Sequence, residues 1–165
     1  MVIGLLWRRH SLAGGREDCY HLAMSSRLKL RFIKKADASD LNRIITLYRA
    51  QGWWGRNDSP GSLSRLIKGS HCFLLAELDG RLIGMGRAIS DGVSDAYIQD
   101  VAVTKEERGT GTGSAIIKAL MERLNADGVK WVGLIAQDNS SPFYARLGFK
   151  ELANAKPMLS KGSRV

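Results

Sequence analysis

Residues 96–120, AYIQDVAVTKEERGTGTGSAIIKAL, combine three kinds of local structure. The first part favours a β-strand because it is rich in β-branched and aromatic residues. Gly109, Gly111 and Gly113 then occupy every second position, and apolar residues from Ile116 onwards recur at helical spacing. Glycines let a ligand approach the backbone, and the first N–H groups of a helix have no intrahelical partner. We therefore predict an anion site, suited to phosphate or pyrophosphate, where the loop enters the helix.

The loop fits neither of two common phosphate-binding patterns. A Walker loop ends in Lys followed by Ser or Thr, whereas Gly113 is followed here by Ser114 and Ala115. A dinucleotide-binding loop requires G-x-G-x-x-G, and its last glycine would fall on Ser114 or Ile116, depending on the glycine chosen as the first. The spacing therefore excludes both classes.

The loop does fit the pattern Gln/Arg-x-x-Gly-x-Gly/Ala, which Arg108, Gly111 and Gly113 supply. In this it resembles the acetyl-CoA-binding motif of the GCN5-related N-acetyltransferases (GNAT). The later stretch DNSSPFYARLGF is similar to a second signature of that family. The resemblance covers roughly residues 28–159 and is to small, single-domain bacterial members. The second signature is carried by Asn139, Phe143, Tyr144, Gly148 and Phe149.

The order of predicted elements also resembles this acetyltransferase fold. We expect an α+β domain in which a mixed, mostly antiparallel sheet is flanked by helices on both faces. The predicted elements are a strand at Leu28–Ile33, a helix capped by Asp37 or Ser39, a helix at 62–68, a hairpin turning at Asp79-Gly80, the strand–loop–helix of 96–120, a strand at 130–136, a helix with Ser141 as its N-cap, and a last strand from Phe149.

The net charge of +9 is concentrated near the N-terminus. Residues 1–35 hold eight Lys and Arg against Glu17 and Asp18, so they carry 8 − 2 = +6 and the remainder carries +3. We interpret residues 1–25 as a basic N-terminal extension and 26–165 as a single N-acetyltransferase domain, whose own start is expected at Met24. A basic segment of this kind is usually a solvated tail, so we do not expect nucleic acid as a partner.

Other features bear on location and partners. Cys19 and Cys72 are the only cysteines, and no apolar run is long enough to span a membrane, so we expect a cytoplasmic protein without a disulfide framework or a membrane partner. His10, His21 and His71 form no metal-ligand spacing with each other or with the cysteines, so no metal is predicted. A homodimer is compatible with the sequence.

The resemblance implies acetyl-CoA as co-substrate. It also implies that Val101 and Val103 pair their backbone with the pantetheine arm as an extra strand would, and that the Val101 N–H faces the thioester oxygen. Asn139 would contact the pantetheine. The full predicted binding set is Val101, Ala102, Val103, Arg108, Gly109, Thr110, Gly111, Thr112, Gly113, Ser114 and Asn139.

Acetyl transfer to an amine also needs an acid and a proton acceptor. By resemblance Tyr144 is the acid, and a phenol with a pKa near ~10 can protonate a departing thiolate with a pKa of about 8.5. Asp100 lies within an apolar strand, where burial costs free energy unless the carboxylate is paired or used, so we predict it to be the base or the ammonium anchor. Asp91, Asp95, Glu77 and a water chain remain alternatives.

The resulting hypothesis is an acetyl-CoA-dependent N-acetyltransferase that acts directly on a primary amine of a small molecule or a protein. Trp53 and Trp54 lie in a loop that borders the acceptor side in the family, so they are candidates for the acceptor pocket and, equally, for covering the core. The alternative hypothesis is a non-catalytic acyl-CoA-binding regulatory or interaction module. Intact Tyr144 and Asp100 favour the enzyme.

Overall fold

The computed structural model of the chain describes residues 28–160. The predicted extension at 1–25, the expected start at Met24 and the last five residues of the predicted domain lie outside this part. Its strands and helices are, in order, β1 (Leu28–Ile33), α1 (Ala38–Ala50), α2 (Pro60–Gly69), β2 (Cys72–Leu78), β3 (Arg81–Ser90), β4 (Asp95–Val103), a 3-10 turn (Lys105–Glu107), α3 (Thr112–Ala126), β5 (Trp131–Gly133) and α4 (Ser141–Ala145).

The strands form one sheet in the order β1-β2-β3-β4-β5. Pairing is antiparallel from β1 to β4 and parallel between β4 and β5. Successive residues of a strand point to opposite faces, so Leu74 packs in the core under α3 while Phe73 packs in the core under α1 and α2. The predicted α+β fold, mixed and mostly antiparallel with helices on both faces, is confirmed.

Local signals near the start of the domain were sufficient to place its elements. Asp37 is the N-cap of α1, and its side chain accepts a hydrogen bond from the Asp40 N–H at 2.8 Å. Helix α2 begins earlier than predicted because Ser59 caps it and Pro60 occupies the first turn, where a missing N–H costs nothing. The hairpin at Asp79-Gly80 is confirmed.

Helix α3 lies very close to the sheet because β3 presents two glycines to it. A Cβ atom at Gly84 would lie 2.9 Å from the Ala102 carbonyl oxygen and 2.9 Å from a methyl group of Ile116. A Cβ atom at Gly86 would likewise lie 2.9 Å from Ile116. Any side chain at these positions would push the helix outward, and with it the glycine loop that begins the helix.

Three predictions in the C-terminal part are wrong. The strand expected at 130–136 is limited to β5, because the chain leaves β4 after Gly133 and loses its hydrogen-bonding partner. The N-cap of α4 is Ser140 and not Ser141, since the Ser140 carbonyl already accepts the hydrogen bond from the Tyr144 N–H. The last strand from Phe149 is not formed in the described part of the chain, where residues 149–160 are mostly exposed and irregular.

Within residues 28–160, no helix has both the length and the apolar character that crossing a bilayer requires.

Candidate active site

A wedge opens between β4 and β5 in the middle of the sheet. The two strands pair only through Asp95 with Trp131, Ala96 with Val132 and Tyr97 with Gly133. Beyond Tyr97, β4 continues to Val103, and in the described part of the chain only β3 pairs with it there. One edge of β4 is therefore available to an extended ligand, which could bind through main-chain hydrogen bonds.

The glycine loop stands at the end of this wedge, where β4 leads into α3. Gly111 is the N-cap of α3 with φ of 94°, and Gly109 has φ of 80°. A Cβ atom at either position would meet no atom within 4 Å, so the space in front of the helix start is open. Helix N–H groups without intrahelical partners face this space, and they suit an anion. The residues present thus fit the pyrophosphate of acetyl-CoA.

The side chains of the loop serve mainly to hold its shape. The Thr110 hydroxyl donates to the Glu107 carbonyl oxygen at 2.8 Å and lies 3.0 Å from the hydroxyl of buried Thr112. The Arg108 guanidinium donates to Gln51 in the C-cap of α1 at 3.3 Å, so it points back towards that helix. Contacts to phosphate would then come from the backbone of the loop, which agrees with its glycine content.

Gly113 has a packing role that its sequence pattern does not indicate. A Cβ atom there would lie 3.3 Å from the ring of Phe143 in α4, and 3.7 Å from Val103. The missing side chain lets α4 approach the first turn of α3. The two predicted motifs, which are separated along the chain, therefore meet at this contact.

Tyr144 lies at this junction of α3 and α4. Its ring makes edge contacts with Phe143 and Phe149, at centroid distances of 4.9 and 5.9 Å. Burial raises the pKa of its hydroxyl above the ordinary value, so the phenol stays protonated at neutral pH. Among residues 28–160, no hydrogen-bond partner is found for this hydroxyl. Exposed Asn139 precedes α4 in a left-handed conformation, with φ of 58°.

Asp100 occupies an irregularity in β4. The register between β3 and β4 shifts opposite Gly86, and Asp100 has φ of 53°, a conformation that costs of order 1–3 kcal/mol for a residue other than glycine. Its Oδ2 atom accepts hydrogen bonds from the Tyr48 hydroxyl at 2.7 Å and from the Arg87 Nε at 2.5 Å. No described residue bonds to its other oxygen, Oδ1, which leaves that oxygen available to a ligand.

The same cluster includes the two tryptophans predicted on the acceptor side. Buried Tyr48 contacts Trp53 and Trp54 edge-on, with ring centroids 6.1 and 6.3 Å apart. Burial, reinforced by the charge of Asp100, raises the pKa of Tyr48, so its hydroxyl remains a donor to that carboxylate. Trp54 is half-buried against the core, whereas 43% of Trp53 is exposed.

Tyr48 and Arg87 were missed by the sequence-based interpretation. Arg87 had a signal, since it is a charged residue in the apolar strand β3, and the predicted hairpin places β3 next to the strand of Asp100. Tyr48 had none beyond its place in the apolar face of α1. Its contact with Asp100 joins residues that are 52 positions apart in the chain.

The alternative bases are placed less favourably than Asp100. Burial opposes ionisation of Glu77, but hydrogen bonds and charges from Arg43 and Arg31 prevail and lower its pKa. The Asp91 carboxylate accepts from the N–H groups of Ser94 and Val93, which lower its pKa to about 2 and make it a weak base. Asp95 is exposed at the start of β4.

Within residues 28–160, no three or more His, Cys, Asp or Glu side chains cluster closely enough to form a metal site.

Comparison with known proteins identifies relatives of this arrangement. The family model described as an acetyltransferase (GNAT) domain matches residues 48–164. An uncharacterized N-acetyltransferase of Chlorobaculum tepidum is 28% identical over 123 residues, which are 74% of this chain and 76% of that protein. The chloroplastic GCN5-related N-acetyltransferase 2 of Arabidopsis thaliana is 39% identical over 70 residues, which are 42% of this chain and 27% of that protein.

Solved structures show the same fold. A GNAT family acetyltransferase of Streptococcus pneumoniae superposes with a TM-score of 0.70 at 21% identity, over 83% of this chain and 99% of that one. The chain spans 27%, 35% and 42% of the length of curated relatives from Arabidopsis thaliana, Oryza sativa and Pyropia yezoensis, respectively. Since the family model covers most of the chain, and the acetyltransferase fold surrounds the wedge and its glycine loop, this chain belongs to the GNAT acetyltransferase family.

Proposed function

We propose that this protein transfers the acetyl group of acetyl-CoA directly to a primary amine. The observation that carries the proposal is the wedge between β4 and β5, which leads from the open glycine loop at the start of α3 to the Asp100 cluster. When bound, acetyl-CoA supplies an acetyl thioester, and the thiol leaves as the acetyl group passes to the amine nitrogen.

The chain supplies donors on one side of this reaction. The backbone N–H of Val101, on the unpaired part of β4, is proposed to stabilise the negative charge that develops on the carbonyl oxygen. A donor in such a position contributes roughly 3–4 kcal/mol in other acyl-transfer enzymes. The Tyr144 hydroxyl, protonated and without a described partner, is proposed to give its proton to the departing sulfur.

Asp100 is proposed to hold the acceptor amine and to receive its proton. Its Oδ2 atom is already engaged by Tyr48 and Arg87, so the amine would bind at Oδ1. A carboxylate held by a guanidinium and a phenol is fixed in position, and a fixed acceptor can orient the nitrogen for attack. Trp53 would border the path of the acceptor into this site, since Tyr48 connects it to Asp100.

An amine panel tests the proposed reaction directly. Release of free CoA thiol from acetyl-CoA would be measured with alkyl amines, arylalkyl amines, polyamines, amino acids, amino sugars and peptides. We expect at least one primary amine to stimulate release strongly. The matched control is its N,N-dimethyl derivative, which cannot form a stable amide. If CoA binds and no amine stimulates release, the protein is a binding module and the proposed activity is wrong.

Replacing Asp100 with asparagine should lower kcat/KM for the best amine by about 10²-fold, because the amide cannot accept the amine proton. The Asn side chain keeps the size of Asp and tolerates the left-handed backbone at this position. Affinity for CoA, measured by calorimetry, should not change. A pure positioning role in the sheet would instead lower the melting temperature and leave the turnover of the folded protein intact.

A further inference from the structure

Two large aromatic rings are exposed beside the wedge. Tyr97 of β4 and Trp131 of β5 contact each other edge-on with centroids 5.2 Å apart, and they are 44% and 38% exposed. The ring of Trp131 lies over Gly133, where a Cβ atom would be only 2.6 Å from it. The glycine thus makes room for the ring, so Trp131 is held against the strand while much of its surface faces solvent.

The position of these rings connects them to the Asp100 cluster. Tyr97 and Gln99 lie on the same face of β4, and Gln99 accepts a hydrogen bond at 2.7 Å from Arg87, the partner of Asp100. Tyr97 also pairs with Gly133 at the last paired position before the wedge opens. The aromatic pair is therefore the continuation, along β4, of the surface on which the acceptor amine is proposed to bind.

The dimensions and charge of this surface restrict the acceptor. Tyr97 precedes Asp100 by three residues, which corresponds to about 10 Å along an extended strand. A nitrogen held at Asp100 and a ring placed on the aromatic pair would thus be joined by a short alkyl chain. Asp95, on the same face as Tyr97, adds a carboxylate that favours a cationic molecule.

We propose that Tyr97 and Trp131 form a recognition platform for the aromatic ring of an arylalkyl amine, whose amino group reaches Asp100. This inference rests on the proposed function, because it names the class of acceptor for that reaction. Aromatic rings pack favourably edge-to-face or offset, and a flat apolar group would cover the ring surface that now faces water.

The test uses 2-phenylethylamine together with propylamine, which has the same kind of primary amine and no ring. In Trp131→Ala, kcat/KM for 2-phenylethylamine should fall about tenfold or more, while that for propylamine stays within about twofold. Gly133→Ala should have the same selective effect because it displaces the Trp131 ring, and Trp131→Phe should restore part of the loss. The matched control is Phe32→Ala in β1, since Phe32 is also 38% exposed and contacts Arg123 on the α3 face.

Binding without turnover separates this inference from the proposed function. Saturation-transfer NMR in the presence of CoA reports contact between the protein and the ring protons of 2-phenylethylamine. Contact in the wild type that is lost in Trp131→Ala supports the platform even if no amine is acetylated. Equal losses for both amines would overturn it, as would unchanged kinetics or no ring contact in the wild type. A changed oligomeric state in Trp131→Ala with unchanged amine binding would show that the rings join two copies of the chain, and would also overturn it.

Discussion

Replacing Gly111 with glutamate should abolish measurable CoA binding in a protein that still folds. The new side chain would enter the open space in front of α3, where the structure places no atom within 4 Å of the Cβ position. Its carboxylate would occupy the helix N–H groups and repel the pyrophosphate. Opposing like charges costs several kcal/mol, so we expect the affinity to fall by at least about 100-fold, as measured by calorimetry.

Two further variants separate this effect from backbone strain. Gly128→Glu places the same side chain just beyond the other end of α3, at a glycine with φ of 86° and no neighbouring atom within 4 Å of its Cβ position. It should cost similar stability and leave CoA affinity unchanged. Gly111→Ala carries the strain without the charge, so its affinity should lie between wild type and Gly111→Glu. If folded Gly111→Glu bound CoA normally, the assignment of the cradle would fail.

The glycine loop could be predicted because its information is local. A β-rich run, alternating glycines and an amphipathic helix are contiguous in the sequence, and each element restricts its neighbours. The role of Gly84 and Gly86 was not visible in this way, because the helix that needs their missing side chains begins some thirty residues later. Their effect requires the strand pairing to be known first.

The wedge and the Asp100 cluster lay beyond sequence reasoning for a related physical reason. Period-two alternation predicts which face a residue occupies only while the register is regular, and the irregularity at Asp100 changes it within β4. The run at 130–136 is apolar enough for a longer strand, but a strand also needs a partner. Its separation from β4 after Gly133 shortens the strand and opens the site.

The second large effect is expected at Tyr144. Tyr144→Phe should keep CoA affinity and lower turnover by about 10²-fold, because the thiolate would lose its proton donor. The substitution removes one oxygen and leaves the ring contacts with Phe143 and Phe149 in place. The melting temperature should therefore remain close to that of the wild type. Tyr144→Ala, which removes these contacts as well, should lower both stability and turnover.

The pH profile distinguishes an acid from a packing residue. Burial raises the pKa of Tyr144 above the ordinary value of about 10, so the wild-type hydroxyl is protonated throughout the neutral range. Turnover should rise with pH as the acceptor amine loses its proton, and ionisation of Tyr144 should reduce it only above about pH 10. Tyr144→Phe should be slow at every pH and lack this high-pH decline. A variant with wild-type turnover and an unchanged profile would mean that water, and not Tyr144, protonates the leaving sulfur.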